Sequence, residues 1–425
     1  MATEALSLDE SPIPDGVTRR VHAALDRLAG DMPRLGIALS GGGDSVALMH
    51  LARDWARGRR LLAATVDHGL RPESAAEARE AHRAARSLGI SHATLLWRRD
   101  TEAGNLMAAA RDARLRLLAG WAQRNGLSAV LLGHTLDDQA ETLLMRLGRG
   151  SGVDGLAGMA PVRPAFGMLW LRPMLGVTRA ELRDWLVARG IGWVDDPSND
   201  NADYDRVRIR QALAALDLPA ARLSQSAENL AMARDALQVF AAQVAHGAQA
   251  AQGTLVLPLT PFRRAPLEIR RRLLVAGLRF VNGSDYPPRR EALLHALAAL
   301  NTGARTTLDG AIAEPLTDRL RLFREPAAAA RAAPAMADEA GGARWDGRWA
   351  LTGLEPDETV SALGHGPLPA LNWRQSRLGR DEAAATPAVW RGGDLVAAPV
   401  LKSHPRIAAR PLRTIDDFRA LLYTH

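Results

Sequence analysis

The hexapeptide SGGGDS, Ser40 to Ser45, lies between two apolar runs in LGIALSGGGDSVALMH, residues 35–50. Glycines let backbone amides approach an anion closely, and a helix beginning there adds free N–H groups and a positive partial charge. The hydroxyls of Ser40 and Ser45 can donate to phosphate oxygens. Asp44 cannot, but a carboxylate at that place suits a Mg²⁺ ion bridging phosphates. Lys402 is the only lysine in the chain, so the Walker pattern G-x-x-x-x-G-K-[ST] fails. The dinucleotide pattern G-x-G-x-x-G finds Gly41 and Gly43 but has Val46 in third place. Asp67 stands where a ribose-binding acid would, which keeps that reading open. A tight turn with Asp44 or Ser45 capping a helix is the plainest alternative.

A second set of reactive groups is GHTLDDQAET, residues 133–142, with His134, Asp137, Asp138 and Glu141. On a helix, Asp138 and Glu141 share a face at a spacing of three, and Asp137 and Glu141 at a spacing of four. Acids in a first turn also simply complement the helix dipole. DHGLRPES, residues 67–74, adds Asp67 and His68, and AARDARLRLL adds Arg111 and Arg114 on a helical pattern. YDRVRIR sets Arg206 and Arg210 one turn apart, with Tyr204 before them. Arg263, Arg264, Arg270, Arg271 and Arg272 form a further basic cluster, which reads as well as a solvated face as an RNA contact.

The elements around these residues alternate. LGIAL (35–39), LLAATV (61–66), HATLLW (92–97) and AVLLG (129–133) read as buried strands, with helical patterns near 45–57, 73–88, 105–125 and 137–148. That alternation predicts an α/β fold, a parallel sheet with helices on both faces. MLWLR (168–172) is a fifth strand, followed by a helix with Thr178 as N-cap. The expected organisation is a flexible tail over 1–20, a catalytic domain over 21–215 and a mainly helical middle domain over 216–324. The Ala- and Pro-rich stretch 325–343 reads as a linker, and 344–425 as a small strand-containing domain.

The 425 residues carry 54 Lys plus Arg against 47 Asp plus Glu, a net charge of +7. Arginine is the better bidentate phosphate partner, so a polyanionic partner fits, though a genome-wide composition bias explains the arginine usage equally well. With no cysteine the chain has no disulfide, thiolate metal site or thiol nucleophile. No long apolar run suggests a membrane span, and MATEALSLDESPIPDG lacks the features of a signal peptide. A cytoplasmic enzyme is expected.

Ser-Gly-Gly-x-Asp-Ser, matched by residues 40–45, resembles the PP-loop of ATP pyrophosphatases, which cut ATP between its α- and β-phosphates. With GHTLDDQAET, RGSGVDGLAGM (149–159) and DDPSNDNADYDRVRIR (195–210), the chain resembles the tRNA(Ile)-lysidine synthetases, motif by motif from 35 to 210. The resemblance implies ATP and Mg²⁺ as cofactors, with L-lysine and a tRNA(Ile) bearing a CAU anticodon as substrates; a homodimer is compatible with it. It implies that cytosine O2 attacks the α-phosphate, pyrophosphate leaves, and the ε-amine of lysine displaces AMP from C2.

On this reading Ser40, Gly41, Gly42, Gly43, Asp44, Ser45, Asp67, His68 and His134 hold the nucleotide, with Asp44 and Asp137 toward the metal. Arg114 offsets charge at the α-phosphate, and Asp138 with Glu141 faces the lysine ammonium. Arg206 and Arg210 meet RNA phosphates or the nucleotide, and Asp137 completes the substrate contacts. Three positions depart from the family pattern: Val207 for Asn, Leu115 for Tyr, and Met107 for an acid or amide. The rivals are another PP-loop enzyme such as a tRNA thiolase, which normally needs cysteines, and a nucleotide-dependent RNA-binding protein without catalysis.

Overall fold

Strand β1 (Arg34–Ala38) is buried at every residue after the first, and its Leu35 and Ile37 are fully inaccessible. Burying such side chains stabilises the fold by about 1.5–3 kcal/mol each. The computed structural model describes residues 15–69, 74–97, 106–194, 205–284 and 286–423, without the side chains of 106–111 and 205. Tyr204, the DPSN turn, Asn105, the side chains of Arg111 and Met107, and residues 1–14 of the expected tail lie outside the described residues.

The chain forms two units, 1–232 and 233–425. In the first, α1 (Gly16–Ala29) is capped by Asp15, whose carboxylate accepts from Thr18 N–H at 2.7 Å. The expected tail therefore gives way to helix at Gly16. Next come β1, α2 (Gly43–Trp55), β2 (Arg60–Asp67), α3 (Ser74–Ser87), β3 (Ser91–Leu96), α4 (Leu106–Arg124) and β4 (Ala129–Leu131). They are followed by α5 (Leu136–Gly148), α6 (Val153–Leu156), β5 (Val162–Ala165), β6 (Met168–Leu171), α7 (Arg179–Val187) and α8 (Asp205–Ala215). The six strands form one sheet in the order β3-β2-β1-β4-β6-β5. Five are parallel, in registers such as Ile37 with Ala63 and with Leu131. The edge strand β5 runs antiparallel to β6.

The helix α9 (Ala220–Val244) spans the boundary between the units. The second unit is helical through α10 (Leu259–Arg264), α11 (Leu267–Asn282) and α12 (Arg290–Asn301). It also carries a five-stranded antiparallel sheet in which Thr254–Pro258, Ala311–Pro315 and Arg319–Arg324 are central. The last helix, Ile415–Leu421, returns to this core, with the Phe418 ring edge-on to Phe280 at 6.3 Å. The stretch expected as a linker is folded: Pro326–Ala330 is a helix whose Ala329 is fully buried, and Ala335–Met336 pairs with Thr359–Ala362. Alanine buries as readily as it fills a linker, and composition alone does not separate the two.

Candidate functional site

From β1 the chain moves outward to β2 and β3, then crosses back to β4 on the other side of β1. The carboxyl ends of β1 and β4 therefore flank the topological switch point, where open α/β sheets bind ligands. SGGGDS follows β1 and GHTLDD follows β4, so the two motifs line one crevice. They approach closely: a Cβ on Gly133 would lie 3.2 Å from the Asp44 carbonyl oxygen, a spacing a larger residue would push apart.

Within the loop, Ser40 N–H donates to Ser45 Oγ at 3.1 Å, and Ser45 Oγ donates to the Gly42 carbonyl at 2.9 Å. Ser40 Oγ lies 3.1 Å from Ser45 Oγ. Ser45 is buried and fastens the turn, whereas Ser40 is exposed and presents its hydroxyl. Gly41 takes φ +89°, a backbone conformation that L side chains rarely adopt. Gly42 occupies the N-cap of α2 and has no side chain to satisfy the first-turn amides. Those amides are the anion-binding donors of a helix N-terminus.

Across the crevice, Thr135 caps α5 in a capping box: Asp138 N–H donates to Thr135 Oγ1 at 3.4 Å, and Thr135 N–H donates to Asp138 Oδ2 at 2.8 Å. The structural role therefore uses one oxygen of Asp138 and leaves Oδ1 turned to the crevice. There it meets Arg179, the first residue of α7. The Arg179 guanidinium donates Nε to Asp44 Oδ2 at 3.1 Å, Nη2 to Asp138 Oδ1 at 3.3 Å and Nη1 to Glu141 Oε1 at 3.4 Å. Its backbone N–H donates to Asp137 Oδ2 at 2.7 Å. One arginine thus collects all four expected acids.

Sequence spacing did not reveal Arg179. It follows Thr178, whose role as a helix cap was legible and which forms a capping box with Glu181, and it reaches the acids only through the fold. Arg206 and Arg210 of α8 also turn toward this cluster. Arg206 Nη1 lies 3.9 Å from Asp138 Oδ1, and Arg210 Nε donates to Glu141 Oε1 at 2.6 Å. Glu141 is 1% exposed, and its Oε2 has no hydrogen-bond partner among the described residues.

Burial raises the Asp44 carboxyl above the ordinary value; Arg179 opposes that rise, and Asp138 and Asp137 add to it. For Asp138 burial also works against the charge, yet Arg179, the Thr135 amide and Arg206 hold its carboxyl below the ordinary value. Burial pushes the imidazole of His134 down to about 3, helped by Arg172, Arg206 and Arg114 against the pull of Asp138. His134 is therefore neutral, and its Nδ1 accepts from Arg172 Nε at 3.2 Å. Arg172 is a second residue that spacing did not reveal; it is buried and also donates Nη1 to the Ala160 carbonyl at 2.7 Å.

Arg114 on α4 sits close enough to act electrostatically on both His68 and His134. His68, lowered mainly by burial, packs edge-on against Trp97 at 5.9 Å. Asp67 accepts from Ser74 Oγ at 2.7 Å and Gly69 N–H at 2.9 Å, which shape the turn after β2. Two departures from the family pattern have apolar places: Val207 is buried, and Leu115 packs against the sheet cluster of Leu62 and Leu118.

Among the described residues no group of three or more acids or imidazoles could hold a metal unaided. Mg²⁺ usually takes one or two carboxylates and completes its shell with phosphates and water. Asp44, whose charge is opposed by burial and by two neighbouring acids, suits that requirement, with Asp137 beside it.

The strand, the SGGGDS turn and the helix at a switch point define a PP-loop protein, and the PP-loop domain family model matches residues 16–216. The chain is 48% identical to a tRNA(Ile)-lysidine synthase of Ruegeria pomeroyi over 92% of its own length and 94% of that protein's. It is 39% identical to one from a Bradyrhizobium species, over 75% of this chain and 97% of that one. The chain belongs to the tRNA(Ile)-lysidine synthase family. Among solved structures, the U34-tRNA thiolase NcsA from Methanococcus maripaludis aligns with TM-score 0.45 and 17% identity, over 51% of this chain and 78% of that one. No helix among the described residues is long and apolar enough to cross a membrane.

Proposed function

We propose that this chain uses ATP to join free lysine to C2 of the wobble cytidine in a tRNA(Ile) with a CAU anticodon. The observation that carries the reading is the convergence of Asp44, Asp138 and Glu141 on one cation beside a phosphate loop without lysine. The loop amides and Ser40 grip the β- and γ-phosphates as a leaving group. Arg114, near enough to His68 and His134 to act on them electrostatically, offsets the charge developing at the α-phosphate. Asp44 and Asp137 would hold Mg²⁺, which would supply charge neutralisation at the phosphates.

In the first step the cytosine O2–P bond forms, the α–β bond breaks and pyrophosphate departs. In the second, the lysine amine bonds to C2 and AMP leaves with the oxygen. Free lysine enters as an ammonium with a reference pKa of about 10.4, so a carboxylate must take a proton before attack. Asp138 keeps its charge at neutral pH and presents Oδ1 to the crevice, which supports that role. His134 is neutral and held by Arg172, so it orients rather than titrates.

The test is incubation with ATP, Mg²⁺, labelled lysine and the tRNA. Lysine should enter the RNA, and replacing the wobble cytidine should abolish incorporation. No label in the RNA overturns the proposal.

A further inference from the structure

Arg179 bridges two sets of groups with different expected ligands. Its Nε is on Asp44 of the phosphate loop, while Nη1 and Nη2 are on Glu141 and Asp138 of α5. The contacts are poor ones for a guanidinium. They measure 3.1–3.4 Å, beyond the usual 2.7–2.9 Å for charge-assisted pairs, and no acid receives the two-pronged grip that arginine favours. By contrast the backbone of Arg179 is firmly fixed by Asp137 at 2.7 Å. The side chain alone is therefore free to leave. A compact ammonium has three donors that rotate to meet separate oxygens, and it suits this arrangement of acids better. The cluster also keeps an unused acceptor, the buried Oε2 of Glu141, which has no partner among the described residues.

We propose that Arg179 occupies the seat of the substrate ammonium in the ligand-free protein and leaves it when Mg²⁺–nucleotide binds at Asp44. The proposal rests on the reading of Asp138 and Glu141 as the lysine-facing pair. The nucleotide's cation replaces the guanidinium at Asp44, and the incoming phosphates offer Arg179 the paired acceptors it lacks among the three acids. Removing one of three contacts loosens the other two. The ammonium seat then opens only beside a loaded phosphate loop, so lysine binds second. Arg179 is thus a positioning residue that couples two substrates, and the coupling is reciprocal: lysine must strengthen nucleotide binding by the same factor.

The experiment is calorimetric titration of lysine into the full-length protein, with and without α,β-methylene-ATP and Mg²⁺. In the wild type the nucleotide should tighten lysine binding by about tenfold or more. Arg179→Ala should bind lysine without nucleotide about as tightly as the loaded wild type, and its coupling factor should fall toward one. Arg179→Gln, which keeps a shorter uncharged polar side chain, guards against a folding defect and should behave likewise. Methylguanidinium added to Arg179→Ala should compete with lysine. The proposal is overturned if folded variants bind lysine no better than the empty wild type or keep its nucleotide dependence. If no variant binds lysine under either condition while nucleotide still binds, the reading of the acid pair itself falls, and the proposal with it.

Discussion

Asp346, in the unit 233–425, accepts from Arg324 Nη2 at 2.8 Å and from Arg348 Nε at 2.8 Å, two cations for one acid whose side chain is 6% exposed. Arg348 also donates Nη2 to the Ala385 carbonyl at 3.0 Å. Burial lowers its guanidinium to about 10, with Asp346 resisting the fall. Glu358 is similar: fully buried, it takes Arg406 at 2.6 Å and 2.9 Å and Arg391 at 3.0 Å. In the unit 1–232 one side chain is shared among several acids, with Arg206 and Arg210 also standing against Asp138 and Glu141. One guanidinium is divided among Asp44, Asp138 and Glu141 at 3.1 Å or more, and a buried oxygen of Glu141 is left over. The difference teaches how to tell a brace from a site. A brace grips its acid with short bonds from two cations; a site divides one guanidinium among several acids in long single contacts and keeps a buried acceptor unused, ready for a cation from outside.

Four changes would break or sharpen that contrast. The largest effect is expected from Asp138→Ala, which should lower lysine incorporation by about 10²–10⁴-fold, the range for loss of a general acid or base. The alanine also removes the Thr135 capping partner, so Asp138→Asn is the sharper test. It should restore the melting temperature while leaving incorporation nearly as low. Next, Asp346→Ala strands Arg348 and should cost about 3–5 kcal/mol in urea unfolding, the usual cost of breaking a buried pair. If that variant instead lost lysidine formation while fully folded, the contrast between brace and site would fail.

Ser45→Ala removes the hydroxyl that fastens the phosphate loop and should weaken ATP binding about tenfold, as expected for one lost hydrogen bond of this kind. An unchanged ATP affinity would mean that the glycine backbone alone sets the loop. The smallest effect concerns acid stability. The hydrogen bonds from Arg406 bring the Glu358 carboxyl from 4.5 down to about 2. Its contribution is therefore fully present above about pH 4.5 and is lost as pH falls through about 2. Glu358→Gln should flatten the dependence of the melting temperature on pH in that window; an unaltered slope would remove Glu358 from the account.

Much of the first unit was legible because parallel strands buried on both faces read as apolar runs, and the loop chemistry falls where those runs end. The capping signature at Thr178 was equally local. Arg179 was not legible, because its meaning comes from partners on α2 and α5 that only the sheet brings together. Asp138 carried two readings, a first-turn acid complementing the helix dipole and a site acid; the structure gives one oxygen to the helix start, as a capping partner, and the other to the site. Arg206 and Arg210 were read toward phosphates, yet in the ligand-free protein they lie against Asp138 and Glu141. The antiparallel edge β5, with VRPA exposed at three of four positions, has no periodic signal to find. The alanines of Pro326–Ala330 hid a packed helix behind a linker composition.

The most direct test of the central claim is which bond of ATP breaks. ATP labelled in the α-phosphate and, separately, in the γ-phosphate is incubated with Mg²⁺, lysine and the tRNA bearing the CAU anticodon. The account predicts α-label in AMP and γ-label in pyrophosphate, each in step with lysine entering the RNA. Label recovered as ADP and orthophosphate would contradict it.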